Sequence, residues 1–231
     1  RIFDDFCTFS IDTSGPALHI RGHKEALNKA PMRETLASLF LRQLGYDGSQ
    51  TVVDPMCGSG TFPIEAAEQA AGLFPGRTRS FAFEKLASFD HGKWDQLKKS
   101  AKPRQVLGRF FGFDRDMGAI RLSKDNANRA AVGDMIEFQH AAISDLEPPD
   151  APAGIVIINP PYGGRIGERK MLFSLYGAMG QTLKTRFKGW KVGILTTDGG
   201  LAKATGLPFL PSLPPVPHGG KRVTLHRTDP L

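Results

Sequence analysis

The chain has 231 residues and a mass of 25.2 kDa, enough for one α/β domain with a full core and short for two domains of usual size. Hydrophobic residues make up 40% and charged residues 23%, which excludes a fully disordered chain. No apolar run approaches the roughly 18 residues of a membrane span, and the opening RIFDDFCTF lacks the shape of a signal peptide. The two cysteines, Cys7 and Cys57, are too few for a disulfide framework or a Cys-rich zinc site, so a reducing cytoplasm is the expected location. The first residue is Arg rather than Met, as expected of a fragment or a trimmed chain.

The net charge of +7 is unevenly distributed. Residues 1–162 carry 19 Lys and Arg against 20 Asp and Glu, whereas residues 163–231 carry 11 against 3. A solvated basic face fits this surplus. So does a face that meets a polyanion, since clustered cations neutralise phosphates and release counterions.

In chain order, CTFSID and ALHIRG flank Thr13-Ser14-Gly15-Pro16 and predict a strand pair joined by a turn. Pro31 is placed to open a helix. Leu36, Leu39, Phe40 and Leu44 follow at helical spacing and Gly45 ends it. Thr51-Val52-Val53 predicts a short strand ending at Asp54, then a Gly-rich turn and a helix over IEAAEQAAG. Residues 73–105 read as a helical insertion whose Phe81, Phe83, Phe89 and Trp94 are expected to pack it onto the domain. RFFGFD, IEFQHA, GIVIIN, WKVGILTT and RVTLHRT predict further strands. Helices are expected over 116–131, which holds the i, i+4 pair Arg121 and Asp125, and over 170–187. The Pro-rich stretch 207–217 is expected to be a loop. Strands alternating with helices imply an α/β, doubly wound, mostly parallel sheet. No repeat or low-complexity tract interrupts it.

Three stretches carry chemistry. Asp54-Pro55-Met56-Cys57-Gly58-Ser59-Gly60-Thr61 follows a buried strand and opens a helix, where doubly wound proteins bind ligands. It lacks both the Lys-Ser/Thr of a phosphate-gripping loop and the GxGxxG spacing. An acid at the strand end would repel a pyrophosphate and suits a cationic ligand with a free amine, such as S-adenosylmethionine (AdoMet). Cys57 has no neighbouring His to activate it and reads as a small residue in a tight turn. Phe113-Asp114-Arg115-Asp116 ends the next strand. Asp114 can accept from both hydroxyls of a ribose, while Asp116 is placed to cap the following helix. Asn159-Pro160-Pro161-Tyr162-Gly163 follows GIVIIN. The prolines fix the backbone and lack N–H donors, so the Asn159 side-chain oxygen and the Pro160 carbonyl can both accept from one exocyclic NH2 group. The Tyr162 ring can stack on the base that carries it. The six histidines show no ligand pairing, so no metal is expected.

DPMCGSGT together with NPPYGGRIG resembles the amino-methyltransferase branch of class I AdoMet-dependent methyltransferases. More narrowly, the chain is similar to the catalytic domain of THUMP-associated guanine-N2 RNA methyltransferases, a group often labelled as DNA adenine methylases. SGPALHIRGHKEALNKAPMRETLA and FAFEKLASFDHGKW extend the likeness over nearly the entire chain. The resemblance implies a seven-stranded sheet with one antiparallel strand, residues 1–30 as hairpin and lead-in, and a class I domain over 31–231. It implies AdoMet at Asp54, Pro55, Cys57, Gly58, Gly60, Thr61 and Asp114, with Pro31, Arg33 and Thr35 helping to close the pocket. Many relatives carry an Asp two residues after the equivalent of His140, where this chain has Ala142. The adenine is then held by backbone at Ala142 and Ile143, or by Asp145 if the loop bends. No THUMP domain is included in the chain.

The expected activity is methyl transfer to an exocyclic base amine, guanine N2 in 23S rRNA, with Asn159, Pro160, Pro161 and Tyr162 at the reacting centre. The alternatives are tRNA guanine, adenine N6 in DNA or RNA, and a non-enzymatic RNA-binding module. Arg165, Arg169, Lys221 and Arg222 are the expected phosphate-binding residues.

Overall fold

The computed structural model describes residues 2–24, 32–102, 104–162 and 169–231. The N-terminal segment forms a two-residue antiparallel pair, β1 (Ile2–Phe3) with β2 (Phe6–Cys7). The predicted pairing of 7–12 with 17–22 does not form. Phe9 and Ile11 alternate as a strand should, yet stand 85% and 75% exposed with no sheet against them. Side chains of the insertion take carbonyls that a ladder would have used. Arg79 donates to Ala17 O at 3.0 Å and Ile20 O at 3.3 Å, and Thr78 donates to Arg21 O.

Helix α1 (Glu34–Gln43) follows, and Gly45 ends it at φ 85°. Its buried stripe is Ala37, Phe40 and Leu41, continued by Leu44, while Leu39 turns outward. Pro31 lies outside the described residues. Strand β3 (Val52–Asp54) leads into α2 (Thr61–Ala70), which starts at Thr61 rather than Ile64 because left-handed Gly60 serves as its N-cap. The insertion contains one 3-10 turn (Ala82–Lys85) and α3 (His91–Lys99). Its aromatics pack on one another and not on the domain. Phe83 meets Trp94 edge-on at 5.0 Å and Phe81 at 5.2 Å, and neither core includes any of them.

From there strands and helices alternate except between β5 and β6, which a helix-free stretch joins: β4 (Phe110–Asp114), α4 (Met117–Arg129), β5 (Ile136–His140), β6 (Ile155–Ile158), α5 (Arg169–Arg186), β7 (Lys191–Thr196) and α6 (Gly199–Ala204). The end of the Pro-rich stretch is an edge strand, β8 (Val216–His218), and not a loop. It pairs with β9 (Lys221–Arg227) across Gly219 and Gly220, whose φ values of 55° and 77° suit a tight hairpin. Pro217 is tolerated because this strand forms the sheet's edge.

The sheet order is β5-β4-β3-β6-β7-β9-β8, with β3 to β7 parallel and β9 antiparallel to β7. The chain winds outward from β3 to β5, then restarts on the other side at β6. The switch point therefore lies between β3 and β6, where a crevice opens at the carboxyl ends of the strands. Every residue of β6 is buried, with Ile155 and Ile157 on one face and Val156 and Ile158 on the other. The first face packs under α1, α2 and α4, the second under α5 and α6.

The lead-in is tied to α2 by buried charge. Arg21 pairs with Glu65 and Glu68, and Arg77 reaches Glu68 at 2.6 Å. Burial pushes the Glu65 carboxyl up, and Arg21 offsets part of that shift. Among the described residues, no helix is long and apolar enough to cross a membrane.

Candidate active site

Asp54 ends β3 only 2% exposed, and its Oδ1 accepts the Met56 N–H at 3.1 Å. The turn then folds against β4: Cys57 N–H donates to Phe113 O at 2.8 Å, and Gly60 N–H to Cys57 O at 2.8 Å. Gly58 and Gly60 both have positive φ, 55° and 78°. A Cβ at Gly60 would sit 3.1 Å from Ser123 Cβ and 3.2 Å from Phe138 Cζ, so space as well as backbone requires glycine.

Three residues that sequence reasoning missed hold this turn. Ser123 Oγ donates to Gly58 O at 2.8 Å and Asn126 Nδ2 to Ser59 O at 3.0 Å, both from the buried face of α4. Lys24 Nζ donates to Thr61 Oγ1 at 2.9 Å and Met32 O at 3.1 Å, and pairs with Glu34 at 3.0 Å. A signal existed for the first two. Ser and Asn are indifferent helix formers, and i, i+3 spacing puts both on one face.

Asp114 closes the turn from the neighbouring strand. Its Oδ2 accepts Gly58 N–H and its Oδ1 accepts Asp116 N–H, each at 2.9 Å. Asp116 instead caps α4, accepting Gly118 N–H at 2.7 Å. Burial pushes the Asp54 carboxyl well above the usual carboxylate range, and the Asp114 charge pushes it further, against the Met56 N–H. Among the described residues no cationic side chain pairs with Asp54. A buried acid beside a second acid, without a counter-ion, favours a cationic ligand. Burial and the nearby Asp54 also push the Cys57 thiol well up, so it is an inert small residue here and not a nucleophile.

Asn159 follows β6. Its Oδ1 is buried, and among the described residues no donor meets it. Pro160 is buried, and Pro161 O accepts the Tyr176 hydroxyl at 3.4 Å, which anchors the loop to α5. Tyr162 is half-buried and touches both cores, and burial raises its phenol. Gly163 lies outside the described residues. Pairing of Val53 with Val156, and of Asp54 with Gly112, sets the Asp54 turn between the ends of β4 and β6. Asp54, Asp114 and Asn159 thus end three adjacent parallel strands on one rim.

Ala142 and Ile143 form a turn after β5, closed by Asp145 N–H on Ala142 O at 3.0 Å. Ile143 is buried, whereas Asp145 is exposed and lines a groove with Arg109, Phe111 and Glu137 along the sheet face. Thr35 and Arg33 are exposed at the start of α1. Of the basic residues, Arg165 lies outside the described residues. Arg169 is exposed, with its guanidinium 3.6 Å from Asp198 and 5.7 Å from the Phe173 ring centre. Lys221 and Arg222 start β9, which runs antiparallel to β7 with Thr224 opposite Thr196. The β8–β9 turn therefore projects past the carboxyl end of β7, onto the rim that carries Asn159. Among the described residues no three His, Cys, Asp or Glu side chains converge as a metal would require.

Residues 21–208 match the family described as "RMKL-like, methyltransferase domain". The chain is 39% identical over 206 residues to "Ribosomal RNA large subunit methyltransferase K/L" of Vibrio campbellii, covering 86% of this chain and 29% of the relative. It is 37% identical over 229 residues to "Putative RNA methyltransferase slr0064" of Synechocystis, covering 97% and 59%. It also superposes on the crystal structure of "SMU.472, a putative methyltransferase complexed with SAH", with a TM-score of 0.87, 29% identity, and coverage of 95% and 58%. The chain spans less than two thirds of each of these proteins. A shared fold, a rim built on the same family's sequence and a match over most of the length lead to one conclusion: the chain belongs to the RMKL-like methyltransferase domain family and has the class I methyltransferase fold.

Proposed function

We propose that the chain is the catalytic domain of an AdoMet-dependent RNA methyltransferase that modifies guanine N2 in large-subunit (23S) rRNA, in the cytoplasm. The observation that carries this reading is Asn159 Oδ1, a buried acceptor with no donor among the described residues, on the rim that holds Asp54 and Asp114. A base amine supplies the missing donor, and a cationic cofactor supplies the missing counter-charge. Names of relatives support the substrate class, since the Vibrio campbellii protein is called a large-subunit rRNA methyltransferase.

The residues fit the cofactor. Asp54 is placed to accept from an ammonium group. Asp114 has two of its roughly four lone-pair sites committed to Gly58 and Asp116, which leaves acceptors for two ribose hydroxyls. Pro55, Cys57, Gly58, Gly60 and Thr61 shape the wall, and Ala142 and Ile143 lie at the strand end where the adenine edge belongs. When bound, AdoMet supplies an electrophilic methyl group on a sulfonium.

The chain's own residues prepare the acceptor. Asn159 Oδ1 and Pro160 O take the two N–H bonds of the target amine, drawing its lone pair out of conjugation and stabilising the positive charge that develops. Pro161, anchored through Tyr176, keeps these acceptors fixed, and Tyr162 stacks on the flipped base. No strong base is needed, because the amine acidifies as it is alkylated. Arg165, Arg169, Lys221 and Arg222 hold the phosphates.

Incubation with labelled AdoMet and rRNA, tRNA or DNA, followed by mass mapping of nucleosides, tests this reading. N2-methylguanosine in rRNA is expected. N6-methyladenine in DNA, or label confined to tRNA, overturns the substrate assignment.

A further inference from the structure

The insertion carries a cleft that the catalytic rim does not use. It has a volume of 330 Å³ and is lined mainly by Phe83, Leu86, Phe89, Lys93, Trp94 and Leu97. Phe83 sits edge-on to Trp94 at 5.0 Å and tilted to Phe89 at 5.7 Å. These rings stay only half-buried, and Leu86 and Leu97 are 42% and 54% exposed. Mutual packing explains why the rings touch, but it leaves the charge around them unexplained. Residues 81–100, which carry the cleft, hold 4 Lys against 3 Asp and Glu, whereas Arg77 and Arg79 of the insertion are committed to Glu68 and to carbonyls of the lead-in. Lys98 stands 5.7 Å from the Trp94 ring centre. Lys93 and Lys98 meet Asp90 at 3.5 Å and Asp95 at 2.9 Å, in exposed i, i+3 pairs of the kind that contribute little and exchange readily. Lys85 has no ion pair among the described residues.

We propose that this cleft is a base-stacking site for single-stranded RNA, a second binding point that rests on the RNA-methyltransferase reading above. An apolar protein segment would fill the cleft but leave Lys85 without a counter-charge and gain nothing from the exposed, exchangeable pairs of Lys93 with Asp90 and Lys98 with Asp95. An RNA strand satisfies both, with the face of a base against Phe89 or Trp94 and phosphates against Lys85, Lys93 and Lys98. Every base has a π-face, so the stack is sequence-tolerant and adds affinity without choosing the target. The insertion leaves the chain after α2 and rejoins it before β4, at the end of the sheet opposite Asn159. An RNA that engages both sites must extend around the domain.

Trp94 makes the test direct. The only other tryptophan, Trp190, is 3% exposed in the core, so quenching by RNA reports on Trp94. Titration of the 231-residue chain with oligouridine of about 12 nucleotides should quench the emission, at a length typical for such sites. By anisotropy of labelled RNA, Trp94→Leu should weaken binding roughly 5- to 150-fold, the range for removal of one base–aromatic stack. Lys93→Glu/Lys98→Glu should flatten the log–log salt dependence by about 0.7 for each phosphate left without its cation. AdoMet affinity should not change in either variant, because the cleft lies outside both cores. Absence of quenching at saturating RNA, or wild-type affinity and salt slope in both variants, overturns the proposal. So does a change confined to self-association, which would make the cleft a protein-binding surface. Failure of the wild-type chain to methylate any RNA is a separate result, and counts against the catalytic reading instead.

Discussion

The carboxylate of Asp114 accepts the backbone N–H of Gly58 at 2.9 Å across 56 residues of sequence. The acid expected to hold the ribose therefore also fixes the glycine turn. Asp114→Ala should weaken AdoMet by removing the ribose hydrogen bonds, on the order of 1.5–3 kcal/mol for a charge-assisted hydrogen bond, with a further loss from the loosened turn. Asp116→Ala removes only the α4 cap and should cost about 1 kcal/mol of stability with little change in affinity. Calorimetry and thermal melts of the two variants separate these effects. The opposite pattern would reassign the ribose to Asp116.

Asp54, the residue proposed to hold the cofactor's cation, is unfavourable to the ligand-free fold. Burial, then the Asp114 charge, raises its carboxyl well above the usual range. A folded-state pKa above the unfolded one means that the native chain holds the extra proton. Stability therefore falls as pH rises above the ordinary carboxylate range, and the effect vanishes below it. Asp54→Asn keeps an acceptor for Met56 N–H and should melt higher than wild type at neutral pH, with the gap closing in acid. It should also lose AdoMet binding. Wild-type binding should release a proton and tighten with rising pH, measurable by calorimetry in buffers of different ionisation enthalpy. Undiminished AdoMet affinity in Asp54→Asn would sink the assignment.

Asn159→Ala should divide binding from chemistry. Its Oδ1 meets no donor among the described residues, so the substitution removes no Oδ1 hydrogen bond from the ligand-free chain. AdoMet should bind as before, while turnover on a verified RNA falls roughly 100-fold or more, the scale for loss of a preorganised polar group. Wild-type turnover in this variant would refute the mechanism.

The β8–β9 turn gives the basic end of the chain a defined place on the rim. Lys221→Glu combined with Arg165→Glu should weaken RNA binding and reduce the log–log salt slope by about 0.7–0.9 for each phosphate no longer neutralised, with AdoMet affinity unchanged. Titrations at several salt concentrations read both quantities. An unaltered slope would leave these residues as a solvated surface.

The parts of the fold legible in the sequence are those with local cause. Ile155–Ile158 announced a doubly buried strand, and two acids of one tetrapeptide, Asp114 and Asp116, could be divided into strand end and cap. What escaped depends on partners distant in sequence. Phe9 and Ile11 alternate as a strand does, but among the described residues no second strand meets them. Pro217 argued for a loop until the hairpin placed it on an edge. α6 is six residues long and begins with two glycines, too short and too weak a former to announce itself. At the site, the motifs were visible, but Lys24 was not. A lysine beside a glycine-histidine pair carries no sign that its ammonium will meet Thr61 and Glu34.

The buried pairing of Arg21 with Glu65 and Glu68 has a consequence for any shortened form of the protein. A boundary drawn at the first helix of the sheet domain would cut at the start of α1. Such a truncation would take the guanidinium from Glu65 and leave Glu68 with Arg77 alone, and removal of one partner of a buried ion pair costs about 3–5 kcal/mol, comparable to the whole margin of a marginal domain. A shortened chain should therefore keep the stretch around Arg21, although that stretch contributes no strand or helix.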